Sequence, residues 1–94
     1  MMKPRLYVDF NEMVDSNLVL LSKGDTKVDA AGNSVALREG LQISIYMDDF
    51  DEIGNRDDLV AEGVVERNNH SDWSSHVKWC CRIDDAGVRH SSDI

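Results

Sequence analysis

Between residues 48 and 58 the chain reads Asp-Asp-Phe-Asp-Glu-Ile-Gly-Asn-Arg-Asp-Asp, six carboxylates against one arginine, the densest run of chemistry-bearing side chains in its 94 residues. Carboxylates in such number suit a hard cation, which takes several oxygen ligands at once. The spacing does not suit an EF-hand, whose loop needs acidic or amide side chains at positions 1, 3 and 5, glycine at 6 and glutamate at 12. Counting from Asp49 puts Asp51 at 3 and Gly54 at 6, but Ile53 falls at 5 and Val60 at 12. The pairs Asp48-Asp49 and Asp57-Asp58 lack a companion that would split their pKa values into an acid and a base. Two uses are left: a solvated loop, or a surface that docks a basic protein through Asp48, Asp49, Asp51, Glu52, Asp57, Asp58 and Glu62.

Zinc would draw on His70, His76, His90, Cys80 and Cys81, which show neither C-x-x-C nor H-x-x-x-H spacing. On one strand His76 and Cys80 stand four residues apart, roughly 13 Å at about 3.3 Å per residue, too far to share an ion. No metal and no cofactor are therefore expected. Adjacent Cys80 and Cys81 point to opposite faces of a strand and do not form a disulfide without distortion. Cys81 with His90 could form a thiolate–imidazolium pair, but Cys81 shares its face with Trp79 and Ile83, where cysteine acts as an inert apolar group. Cys80 shares its face with Lys78 and Arg82, an electropositive setting able to lower a thiol pKa, but an ordinary surface thiol is the leading expectation.

Tyr46, Phe50 and Trp73, beside carboxylates, offer a second kind of site: an aromatic cage for a methylated or alkyl ammonium group. Phosphate loops, nucleophile elbows, H-E-x-x-H and G-x-G-x-x-G motifs are missing from the sequence, and a small barrel filled by its own side chains leaves little room for a substrate pocket. Catalysis is thus not expected. A net charge of −8 opposes binding to nucleic acid and to anionic membranes. The longest apolar run, residues 18–21, is too short to cross a bilayer, and the N-terminal residues lack a signal-peptide pattern. With two reduced cysteines, a cytoplasmic protein is the expectation.

The elements that must position these groups show period two. Leu6, Val8 and Phe10 alternate with polar neighbours over residues 5–10, and residues 18–22 are apolar on both faces. Residues 23–40 form a loop or irregular hairpin turning at Gly32-Asn33. Residues 41–47 alternate cleanly, with Leu41, Ile43, Ile45 and Met47 inward. Gly54-Asn55 reverses the acidic loop, and residues 59–67 come next as a strand with Glu62 and Glu66 wet and Gly63 marking a bulge or a close approach. After a polar connection, Val77, Trp79, Cys81 and Ile83 form the inner face of another strand. Residues 84–87 (Asp-Asp-Ala-Gly) suit a four-residue hairpin loop with Gly87 at positive φ, which pairs Ile83 with Val88 and Cys81 with His90. One helical turn at most is expected, near residues 57–59 or 72–75.

This pattern predicts one all-β domain over residues 1–94, with its core in about 5–92: a small antiparallel curled sheet or barrel of five to six strands, whose closure removes exposed edges. The order of loops resembles that of SH3-like barrels over about residues 17–92, with residues 37–43 (Leu-Arg-Glu-Gly-Leu-Gln-Ile) as the turn into the central strand. The aromatic cage is similar to that of Tudor-like readers of the same barrel type. No binding motif accompanies the resemblance, so function rests on the site itself. The leading expectation is a non-enzymatic interaction module, of inhibitor or immunity type, whose acidic edge docks a basic protein. The alternatives are the modified-residue reader and a self-associating structural protein, most simply a homodimer.

Overall fold

Nine short strands form where apolar side chains recur at every second position or fill both faces of the chain: β1 (Arg5–Tyr7), β2 (Met13–Asp15), β3 (Leu18–Ser22), β4 (Thr26–Val28), β5 (Ser34–Ala36), β6 (Gln42–Met47), β7 (Leu59–Arg67), β8 (Trp79–Ile83) and β9 (Arg89–His90). The computed structural model describes residues 3–69 and 74–93. Seven strands make one mixed sheet in the order β1-β6-β7-β8-β3-β2, with β9 also on β7, while β4 and β5 form a separate hairpin. Among the described residues the one helical piece is a 3-10 turn at Ser91–Asp93 and none forms at 57–59, while the other expected stretch, 72–75, lies partly outside the described residues; no helix is long and apolar enough to cross a membrane.

Consecutive strands β1 and β2 lie at opposite ends of this sheet. Laid flat, six strands about 4.8 Å apart would hold them about 24 Å from each other. Six residue steps from Tyr7 to Met13 reach at most about 20–22 Å. Part of that length is used in a turn, where the Glu12 N–H donates to the Asp9 carbonyl. The sheet must therefore curl. Its concave face buries Leu6, Val8, Val19, Leu21, Ile43, Ile45, Ala61, Val65, Trp79, Cys81 and Ile83 in one cluster, to which the segment after β5 adds Leu37.

The expected barrel does not close, and the sheet is not purely antiparallel, because β1 runs parallel to β6. Among the described residues β1 and β2 share no ladder. The outer edge of β1 is taken instead by the β4–β5 hairpin, whose Ala30 N–H donates to the Arg5 carbonyl at 2.9 Å. The gap that remains is a groove of about 460 Å³ lined by Tyr7 of β1, Val8 just after it, Leu21 of β3 and Lys27 of β4, among others. A second groove, of about 310 Å³, crosses β6 and β7. The molecule thus has more concave space than a filled barrel would leave.

Two further expectations are corrected. The turn over residues 84–87 exists, with Gly87 at φ 69° and its N–H on the Asp84 carbonyl, but it does not reverse the chain. Both β8 and β9 run antiparallel to β7, Ile83 opposite Gly63 and His90 opposite Leu59. Four steps on β7 thus face seven on the other side, so three extra residues bulge out. Ile83 does not pair with Val88, nor Cys81 with His90. Cys80 is not a surface thiol: it is 0% exposed, packed with Leu18, Leu20 and Val77 in a second cluster on the other side of the sheet.

Gly63 is a close approach. A Cβ there would meet the Cys81 Sγ at 2.6 Å and, nearer still, the Arg82 carbonyl oxygen. Gly63→Ala is expected to destabilise the protein by about 1–3 kcal/mol, the range for overpacking. Adding Cys81→Ala should not restore stability, because the backbone oxygen stays in place. Urea unfolding of the single and double variants checks this, and a wild-type midpoint for Gly63→Ala would refute the contact.

Candidate functional site

The acidic segment is an extension of the β6–β7 ladder. Met47 pairs with Leu59 and Phe50 with Arg56 in the same register, and the Asp57 N–H donates to the Asp49 carbonyl. At its tip Asp51 Oδ1 accepts from the N–H groups of Ile53 and Asn55 at 3.1 and 2.8 Å, and Gly54 takes φ 89°. The β4–β5 turn has the same construction: Asp29 Oδ1 accepts from Ala31 and Asn33, and Gly32 sits at φ 87°. Both turns read Asp-x-x-Gly-Asn. An Asx hydrogen bond plus a glycine in the left-handed region is turn chemistry, so Asp51 is held by its own backbone.

Most of the other predicted contacts are also internally engaged. The Arg56 guanidinium donates to Asp48 at 2.5 Å and, through Nε, to Asp58 at 2.9 Å, and Arg5 stands 3.5 Å from Asp58. Asp57 accepts from the Ser91 hydroxyl and from both the N–H and hydroxyl of Ser92. The Ser92 bonds hold its carboxyl below the usual carboxylate range, with lesser help from Ser91 and His90. His90 lies against this pair rather than near Cys81, with Nδ1 3.6 Å from Asp57 and 3.8 Å from Asp49. Glu62 lies off the hairpin, on the convex face of β7, with Oε1 3.3 Å from Lys3. Glu52 alone of the set has no cation or hydrogen bond among the described residues.

Among its exposed residues the hairpin presents two large apolar side chains. Ile53 is 83% and Phe50 63% accessible, on either side of Glu52. Sequence reasoning missed Ile53, although its place inside a tight turn, where no strand face can bury it, was a usable signal.

The aromatic trio is not shown to gather. Tyr46 meets Tyr7 edge-on at 5.5 Å and carries the Arg5 guanidinium over its ring at 4.5 Å, so that face already holds a cation. Phe50 is out on the hairpin. Trp73 and the candidate zinc ligand His70 lie outside the described residues. Cys81 sits between Val19 and Val65 at 0% exposure, with its thiol pushed up to about 12 by burial. Burial likewise pushes Cys80 up to about 11, the opposite of what an electropositive surface setting would do.

Neither protein-family models, nor curated proteins, nor solved structures give a match to this chain.

Two measurements test these placements. Because the folded Asp57 pKa is depressed below its ordinary 3.8, its stabilisation is present above that value and is lost as the pH falls through the folded one. Asp57→Asn should lower the melting temperature at neutral pH, and the gap to wild type should close in acid; a pH-independent gap would contradict this. Both thiols should resist a thiol-specific reagent at neutral pH in the native protein and react once urea unfolds it. Fast labelling of the native chain would place a thiol at the surface.

Proposed function

We propose that this chain is a non-enzymatic interaction module that docks a basic protein through the hairpin of residues 48–58. One observation carries the reading: the hairpin tip presents Ile53 and Phe50 to solvent with Glu52 between them and Asp49 alongside. Apolar anchors ringed by charge are the anatomy of a small interface, where the anchors supply affinity and the charges select and accelerate encounter. The internal pairing of Asp48, Asp51, Asp57 and Asp58 narrows the expected surface. These residues shape and stiffen the hairpin, and the direct contacts fall to Asp49, Phe50, Glu52 and Ile53. A rigid loop loses less entropy on binding.

The net charge of −8 supports a basic partner and supports no nucleic-acid or membrane role. One concrete form is an inhibitor or immunity-type protein that covers the cationic cleft of a nucleic-acid enzyme. Two buried thiols on opposite strand faces are compatible with a reducing, cytoplasmic setting.

Pull-down at low salt should capture a basic protein that elutes as salt rises. Ile53→Ala with Phe50→Ala should weaken binding about 30-fold or more, as truncating anchors worth about 2 kcal/mol does. Asp49→Asn with Glu52→Gln should chiefly slow association and flatten the salt dependence. Binding that ignores all four substitutions and salt would refute the proposal, and sedimentation showing a dimer abolished by the same substitutions would assign the hairpin to self-association instead.

A further inference from the structure

A closed circuit of backbone surrounds the larger groove, of about 460 Å³. From β1 the connection 8–12 leads to β2, and the Glu12 carbonyl at its end accepts from the Leu20 N–H of β3. From β3 residues 23–25 lead into β4, and the turn after β4 returns to β1 through the Ala30 N–H on the Arg5 carbonyl. Such a ring limits how far the two edges can part or meet. The volume lies within the range for ligand pockets, about 300–1,000 Å³. Val8, Leu20, Leu21 and Val77 give the groove an apolar floor, and Tyr7, 44% exposed, adds an aromatic surface.

Lys27 is the unusual group in this setting. On the β4–β5 hairpin it stands directly opposite Val35, and cross-strand partners project from the same face. Val35 packs against the core cluster, so Lys27 is turned inward as well, to the groove that it lines. Burial alone lowers the pKa of its amine, with no carboxylate acting the other way. Lys3 and Lys78 each reach a carboxylate, and Lys23 is exposed. Lys27 is the one lysine that is both half-buried and without an acid, in a chain where acids outnumber bases eighteen to ten. Alternation along β1 brings a second donor to the same gap. The Val8 N–H bonds to Tyr46 on the β6 side, so the Tyr7 N–H faces the other way, onto an edge where β1 has no ladder.

The geometry points to a binding site for a small monocarboxylate with an alkyl or aryl body, its carboxylate on the Lys27 ammonium and its body over Tyr7 and the apolar floor. An ammonium only donates, and a carboxylate only accepts, so the guest supplies what the fold withholds from Lys27. Asp9 and Glu12 line the groove too and repel a second negative charge, which specifies one carboxylate rather than two. The site shares no residue with the hairpin of residues 48–58, so it stands or falls without the docking proposal.

The test is an amide-shift titration of the full, ¹⁵N-labelled chain at neutral pH with hexanoate and 3-phenylpropionate. Hexanol and 3-phenylpropanol serve as uncharged bodies, and acetate as the charge without a body. At least one of the two acids should give saturable shifts centred on Tyr7, Leu21 and Lys27, with affinity about tenfold or more above its alcohol and above acetate. Lys27→Met keeps the apolar stem and removes the charge, so it should weaken that acid by a similar factor and erase its preference over the alcohol. Lys23→Met removes the same charge from an exposed position on the rim and should leave the affinity within about threefold. Where Lys27→Met gives no dispersed spectrum, the wild-type preference for acid over alcohol and the map of shifts decide. Four results overturn the assignment: no saturable shift with either acid, equal affinity for acid and alcohol, shifts centred away from the groove, or a loss in Lys23→Met that equals the loss in Lys27→Met.

Discussion

A connection of only five residues, 8–12, between strands at opposite ends of the sheet sets the shape of the whole molecule. A flat sheet of this width would outrun it, so the sheet curls and brings Leu6 and Val8 from one edge into the same cluster as Val19 and Leu21 from near the other. Curling alone does not close a barrel. Closure needs a ladder between the edges, and the backbone of β1 that could supply it is bonded to Ala30 of the hairpin. Covering an edge with a hairpin protects it from edge-to-edge pairing almost as well as closure does. The cost is a mouth lined by polar and half-buried groups, in which Lys27 lies deep enough for desolvation to lower its pKa.

How much of this was legible depends on whether a residue's fate is set by its immediate neighbours. The strands at residues 18–22 and 59–67 show in local pattern because each has a continuous inner face, and the structure returns the same bounds. The strand Met13–Asp15 does not, since two half-buried residues followed by an exposed one carry no period. Strand direction is also invisible locally: nothing in residues 5–7 distinguishes a parallel from an antiparallel neighbour. Cys80 was recoverable. Residues 18–22 are apolar on both faces, so whatever pairs with them has a covered outer face, and Leu20 lies opposite Cys80. The turn over residues 84–87 was misread for a different reason. An Asx bond from Asp84 and a glycine at positive φ define a turn's shape but not the direction the chain takes on leaving it. A chain that resumes its direction after a bulge uses the same residues as one that reverses.

The acidic composition takes on a different meaning in this light. Asp9, Asp29, Asp51 and Asp84 each accept a backbone N–H two residues on, so four aspartates serve as turn residues at four corners of the fold. Each exposed ion pair contributes little, about 0–1 kcal/mol, but those around Arg56 share one guanidinium and therefore fix the base of the hairpin in one geometry. The acidic run is visible in the sequence, while its division into internally paired and solvent-facing members was not legible, because that division depends on Arg5, Ser91 and Ser92 arriving from the two ends of the chain.

Asp57 joins the hairpin to the C-terminal end of the sheet. Its carboxylate fastens Ser91 and Ser92 to the base of the hairpin, and the same C-terminal segment carries Arg89 and Ser91 into the groove beside β7. The β7–β9 pair is only two residues long. The three hydrogen bonds to Asp57 add a second attachment just beyond it, so the base of the hairpin and the C-terminal end of the sheet are held together by one side chain.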